Sequence, residues 1–232
     1  MTPLTIRTWS GYPWRDEFAP TSSGKHYMIF YYAPQTVSVA SHIALEEASA
    51  SYEARAINFR ETEQRSEHYL KINPKGRVPA LVTDRGIITE TPAILAYIAQ
   101  TFPQAQLAPL DDPFAFAEIQ AFNNYLCATV HVAHAHKVRG GRWVDDDAAI
   151  EAMKKKVPQT MAECFALIET EMLRGPWVMG ENYSICDCYL FTIARWLEGD
   201  GVAIDQYPAV AEHARRMRER PAVGRVMPLH ED

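Results

Sequence analysis

The chain has 232 residues, 47% of them hydrophobic and 22% charged, with a formal net charge of -6. This balance is that of an ordinary globular protein and excludes a disordered polypeptide, and the acidic surplus argues mildly against nucleic acid as the partner, because a phosphate backbone is met by Lys and Arg gathered on one face. No apolar run is long enough for a membrane-crossing helix, and the opening MTPLTIRTWSGYPWRDEF lacks the basic head and apolar stretch of an export signal, so a soluble cytoplasmic protein with no membrane partner is expected.

Residues 1–26 have no clean hydrophobic period and end in the turn-rich run APTSSGK, which predicts an arm ahead of the folded unit. The arm carries Trp9, Tyr12, Trp14 and Phe18, whose apolar surface favours docking of part of it. From Tyr27 the run YMIFYY predicts a buried strand, and Val39, Ala40, Ile43, Ala44 and Glu47 then recur at helical spacing. A second strand is expected at Tyr52 to Phe59 and a short helix near Arg65 to Lys71; the turn NPKGR and the strand VPALVT follow. After the turn at Asp84, Arg85 and Gly86, IITE predicts a last strand, and Thr91 with Pro92 opens a helix through AILAYIAQTF, where the missing proline N–H costs nothing.

LAPLDDP has the composition of a linker, and only helical periods follow: Pro113 to Val138, Asp145 to Leu173, Ser184 to Leu197 and Pro208 to Glu219. The expected organisation is an arm at 1–26, an α/β domain at 27–104, a linker at 105–112 and an all-α domain at 113–232. Cys127, Cys164, Cys186 and Cys188 all fall in predicted helices, with Cys186 and Cys188 on different sides of one helix, so buried, reduced thiols are expected.

Four segments carry a resemblance. YYAPQTVSVASHIALEEA, YLKINPKGRVPAL, ITETPAILAYI and GENYSICDCYLF occur in the order and spacing of the cytosolic glutathione transferases, most like their bacterial beta class, and the likeness spans roughly residues 27 to 225. The resemblance implies a thioredoxin-like N-terminal domain that holds glutathione as co-substrate and an all-helical C-terminal domain, without a metal. It also implies a homodimer, with a small hydrophobic electrophile as the second substrate.

On that resemblance, Arg77, Val78 and Pro79 fall in the cis-proline turn, where the N–H and C=O of Val78 would pair with the cysteinyl residue of glutathione as an added strand; an ordinary edge-strand proline is the alternative. Glu90 and Thr91 precede a helix, where free N–H groups and the dipole favour the γ-glutamyl carboxylate while Glu90 takes the ammonium. Thr91 acting only as an N-cap is the other reading. Ser38, at the handover from first strand to first helix, is the first candidate for stabilising the glutathione thiolate, with a plain cap as its alternative. The beta class carries a cysteine one position earlier; here that position is Val37, which excludes mixed-disulfide chemistry there. Tyr32 matches a tyrosine of that class and is read as a wall of the glutathione site.

In YLCATVHVAHAHKVRGGRW, His136 and Lys137 match a His-Lys pair of the beta class, so His136 is a candidate donor to the sulfur and Lys137 a partner for a carboxylate. Cys127, His131 and His134 at one-turn spacings admit a zinc reading, but no second cysteine pair or Glu-bearing signature accompanies them; histidines satisfied at an internal interface are the third reading. His131 and Trp143 are candidate walls of the acceptor pocket. Ser184-x-x-Asp187 is a capping box ahead of an apolar helix and is read as structural. Transfer of the glutathione thiolate to a small hydrophobic electrophile is the expected reaction; a glutathione-dependent peroxidase or dehalogenase, or a non-catalytic glutathione-binding or partner-binding protein, are the alternatives.

Overall fold

The computed structural model describes residues 28–231, so the expected arm at 1–26 and its aromatic residues lie outside the described residues. Where the sequence divides at the 105–112 linker, the density of packing groups the chain into two compact units along different lines. Of the described residues, the first holds 28–33 together with Ser51–Glu90, and the second holds Pro34–Ala50 and 91–231.

The first unit is a four-stranded mixed sheet with one short α-helix. Its strands are β1 (Ile29–Tyr32), β2 (Glu53–Ala56), β3 (Ala80–Thr83) and β4 (Gly86–Thr89), in the order β2-β1-β3-β4. β2 runs parallel to β1, whereas β3 is antiparallel to both β1 and β4. β1 lies in the interior of the sheet and is buried at all four residues, as its unbroken run of apolar and aromatic side chains requires. Side chains alternate across the pleat, so Ile29 and Tyr31 share one face with their partners Val82 and Ala80. That face forms a core with Ile57, Tyr69 and Ile72, the last two brought by the helix of Glu67–Ile72 (α2), and Val78 packs against its margin.

Helices make up the second unit: α1 (Ser38–Glu47), α3 (Thr91–Thr101), α4 (Pro113–Tyr125), α5 (His131–Arg139), α6 (Asp147–Leu167), α7 (Ile185–Ala194), α8 (Pro208–Arg218) and α9 (Pro221–Val226). All ten residues of α7 are buried, and this helix packs against α1, α3, α4 and α8. A helix apolar on every side belongs at the centre of a bundle.

α7 starts as its sequence predicts. Ser184 and Asp187 form a reciprocal capping box. Asp187 is fully buried; its Oδ2 accepts from the Ser184 N–H at 2.7 Å, while Oδ1 accepts from the Val178 N–H at 2.7 Å and from His213 Nε2 at 3.0 Å. The linker is anchored too, because the Leu107 carbonyl accepts from the Ile185 N–H at 2.9 Å and Asp112 caps α4 through the N–H groups of Phe114 and Ala115.

Two predicted helices carry an irregularity that periodicity does not reveal. Between α4 and α5 the chain passes through a π-turn at Leu126–Val130, and α6 ends in another at Ile168–Met172. α9 escapes the sequence reading because it has only six residues and contains Pro221 and Gly224. None of the four cysteines is in a disulfide; Cys164, Cys186 and Cys188 are buried, and Cys127 is half-buried.

Candidate functional site

In the first unit the candidate residues are placed by the turn NPKGR. Gly76 sits at φ +59°, and a Cβ there would lie 2.9 Å from the Gln64 carbonyl, so the turn requires glycine. The buried phenol of Tyr69, whose pKa burial raises, stays neutral and donates to the Arg77 carbonyl at 2.7 Å. Asn73 Nδ2 donates to the same oxygen at 2.6 Å. This carbonyl is thereby locked two residues ahead of Pro79, and the Val78–Pro79 bond is cis, as the sequence leads one to expect. The side chain of Val78 packs against the core, while among the described residues no hydrogen bond reaches its N–H or C=O.

β4 ends at Thr89, and Glu90 is a single-residue joint with φ at +75°, a conformation that costs a non-glycine residue free energy and is found where surrounding structure enforces it. The Glu90 carboxylate is exposed and pairs with Lys75 Nζ, which also donates to Thr89 Oγ1 at 2.7 Å. Lys75 was not among the residues singled out from the sequence, although it lies inside the quoted motif. Tyr32, at the end of β1, is buried and stacks on Phe30 with ring centroids 6.2 Å apart; burial raises its phenol pKa and keeps it protonated.

In the second unit Ser38 is the first residue of α1 and is fully buried. It is not a cap: the N-cap position is Val37, with no side-chain bond. The Ser38 hydroxyl instead meets Thr36 Oγ1 at 2.8 Å, and that same oxygen accepts from the Ser38 N–H at 3.3 Å. Thr36 is half-buried, so it is the more accessible hydroxyl of the pair, and sequence reading passed over it although it lies two residues upstream. Thr91 is the buried first residue of α3.

The histidine stripe divides into two groups. His136 meets Trp143 edge-on at 4.5 Å, with Trp143 about half exposed. His134 lies flat on Trp196 at 4.2 Å and 20°, and His131 stands 5.0 Å from the same indole. The fully buried carboxylate of Asp200 accepts from His134 Nδ1 at 2.7 Å, with Lys137 Nζ 3.5 Å from its other oxygen. Lys137 also donates to the Gly199 carbonyl. Lys137 thus stands beside a carboxylate of the protein's own. Trp196 and Asp200 lie far along the chain from the stripe, and no local pattern marks them. Among the described residues no three His, Cys, Asp or Glu side chains converge as a metal ion requires, and no helix is long and apolar enough to cross a membrane.

The model of the glutathione S-transferase N-terminal domain matches residues 27–100, and that of its C-terminal domain matches residues 131–221. Glutathione S-transferase GstA of Escherichia coli O157:H7 is 30% identical over 199 residues, which cover 84% of this chain and 95% of that protein. Among solved structures, a glutathione transferase homologue from Sulfitobacter with bound glutathione superimposes with a TM-score of 0.84 at 45% identity, covering 87% of this chain and 97% of the other. The beta-class glutathione S-transferase of Sphingomonas chungbukensis gives 0.75 at 28% identity, covering 87% and 98%. The four sequence motifs, the β2-β1-β3-β4 sheet and the helical unit built on α7 thus have one common explanation: the chain belongs to the glutathione S-transferase family.

Proposed function

We propose that the protein is a glutathione transferase that binds glutathione along Val78 and at the Glu90–Thr91 joint and transfers its thiolate to a small hydrophobic electrophile. The observation that carries this reading is the backbone of Val78: its side chain is packed into the core, yet none of the described residues bonds its N–H or C=O. An extended peptide satisfies such a pair by strand addition. Glu90, held in a left-handed joint beside Lys75, supplies a carboxylate for the glutathione ammonium, and Thr91 at the start of α3 suits the neighbouring carboxylate. The Sulfitobacter relative, described with glutathione bound, supports the choice of ligand.

For the thiolate we retain Ser38 and His136 as candidate donors, with Arg77, Pro79, Tyr32 and Lys137 as glutathione-site residues and His131 and Trp143 as acceptor walls. Thr36 joins Ser38 as the hydroxyl it bonds. The protein acts in the cytoplasm as a homodimer, a state that light scattering tests directly.

The deciding experiment is a pH titration of bound glutathione by thiolate absorbance in wild type, Ser38→Ala and His136→Ala. Wild type should hold the thiol at least one pH unit below its free value of about 8.5, about 1.4 kcal/mol of preference for thiolate. The variant that loses this shift identifies the donor, and an unshifted thiol in wild type refutes the transferase reading in favour of a glutathione-binding protein. Glu90→Gln should weaken glutathione binding by about 10- to 100-fold, the value of a charge-assisted hydrogen bond.

A further inference from the structure

His134, Asp200 and Trp196 form an arrangement that the proposed reaction does not yet use. Asp200 is fully buried, and its Oδ2 lies 2.7 Å from His134 Nδ1. A carboxylate there accepts, so in the neutral ring the proton sits on Nδ1 and Nε2 carries a lone pair. The ring cannot turn freely, because one face lies on Trp196 at 4.2 Å. Lys137 neutralises the second carboxylate oxygen from 3.5 Å. His134 keeps 24% of its side chain exposed, and among the described residues no hydrogen bond is made to Nε2. Tying α5 to the turn after α7 needs only Nδ1 and Asp200. What remains is an oriented acceptor on a side chain that is about a quarter exposed, beside two aromatic rings, those of Trp196 and His131.

We propose that His134 Nε2 is a hydrogen-bond-accepting subsite that selects aromatic acceptor substrates bearing a hydroxyl group. The inference rests on the reading of His131 as part of the acceptor wall. A flat ring beside Trp196 and His131 brings its hydroxyl to Nε2, and a ligand without a donor leaves that lone pair unsatisfied once water is displaced. Asp200 is a positioning residue: it fixes the tautomer and does not touch the ligand.

The test compares 4-chlorophenol with its methyl ether, 4-chloroanisole, by calorimetric titration of the full chain at about pH 8, where the phenol is not ionised. Wild type should bind the phenol about tenfold more tightly than the ether, the net value of one hydrogen bond made in place of an unsatisfied one. His134→Phe keeps the ring stack and should bring the ratio close to one, while His134→Gln, whose amide oxygen also accepts, should restore part of it. Asp200→Asn frees the tautomer and should reduce the ratio even where the melting temperature is unchanged. Equal binding of the two probes by wild type, binding of neither, or an undiminished ratio in His134→Phe overturns the proposal. Glutathione affinity measured on the same samples tests the transferase reading separately, since loss of glutathione binding leaves the phenol-to-ether ratio intact.

Discussion

α1 and α7 each begin at a serine in the sequence, and each is buried along most or all of its length, yet they handle buried polarity in opposite ways. At α7 the polar groups converge on a charge: Asp187 takes the N–H groups of Ser184 and Val178 and the ring of His213. At α1 the fully buried groups near the start and middle are neutral, Ser38 with Thr36 at 2.8 Å and His42 Nδ1 with His230 Nε2 at 2.9 Å, and charge appears only at its C-terminal end, where Glu46 pairs with Arg225 and Glu47 with Arg220. The two serines differ in position: Ser184 stands ahead of α7 and is reciprocated by Asp187, whereas Ser38 is already the first residue of α1, with Val37 in the cap position. The buried charge at the start of α7 and the buried neutral histidine pair of α1 should therefore respond differently to mutation and to acid.

The largest way to break this contrast is Asp187→Ala. It leaves His213 and two backbone N–H groups buried without their acceptor, and should lower stability by about 3–5 kcal/mol, read as a fall in the urea midpoint. A loss below about 1 kcal/mol would remove the distinction between the two helices.

Acid should act on α1 next. Burial pushes His42 down to about 4, against a smaller opposing influence of Glu46, which is itself paired with Arg225. A histidine depressed in the folded state takes up its proton on unfolding, so its contribution is full above about pH 6.5 and is lost as the pH falls through about 4. The amount at stake is on the order of 3 kcal/mol. Two protonated rings also cannot share the His42–His230 bond. Urea melts between pH 7 and pH 4 should slope accordingly in wild type and be flatter in His42→Phe; equal slopes would show that this pair does not carry the acid sensitivity.

Ser38→Ala sharpens the comparison with a smaller effect, about 1.5 kcal/mol for one buried hydroxyl bond. Thr36→Val should cost a similar amount, and the double variant should fall short of the sum because both remove the same interaction. Additive losses would mean that the two hydroxyls act separately. The smallest change is Asp112→Ala at α4, a one-sided cap on Phe114 and Ala115, expected to cost ~1 kcal/mol in thermal melts.

Much of the fold was legible along the chain. The run YMIFYY, the helical period from Val39 and the Thr91-Pro92 start appear as β1, α1 and α3, because such patterns answer to the pleat or to the helical turn within a few residues. Less of the candidate site was legible. Val78, Pro79 and Glu90 were found through motifs, but Lys75 beside Glu90 and Thr36 beside Ser38 were missed, since the partner of a polar side chain has no period. Lys137 was found through its motif, but nothing along the chain marks Asp200, 63 residues further on, as the carboxylate 3.5 Å from it.

By itself the sequence determined the order of the strands and of the longer helices, the box at Ser184 and Asp187, and the family, all of which depend on residues a few positions apart or on motifs in a set order. Tertiary structure alone decided that Ser38 is buried rather than a cap, that His134 is oriented by a carboxylate 66 residues away, and that His42 faces His230 across 188 residues. The reason is one of range: a cap or a strand closes hydrogen bonds between near neighbours, while the protonation and exposure of a buried side chain depend on which distant segment is packed against it.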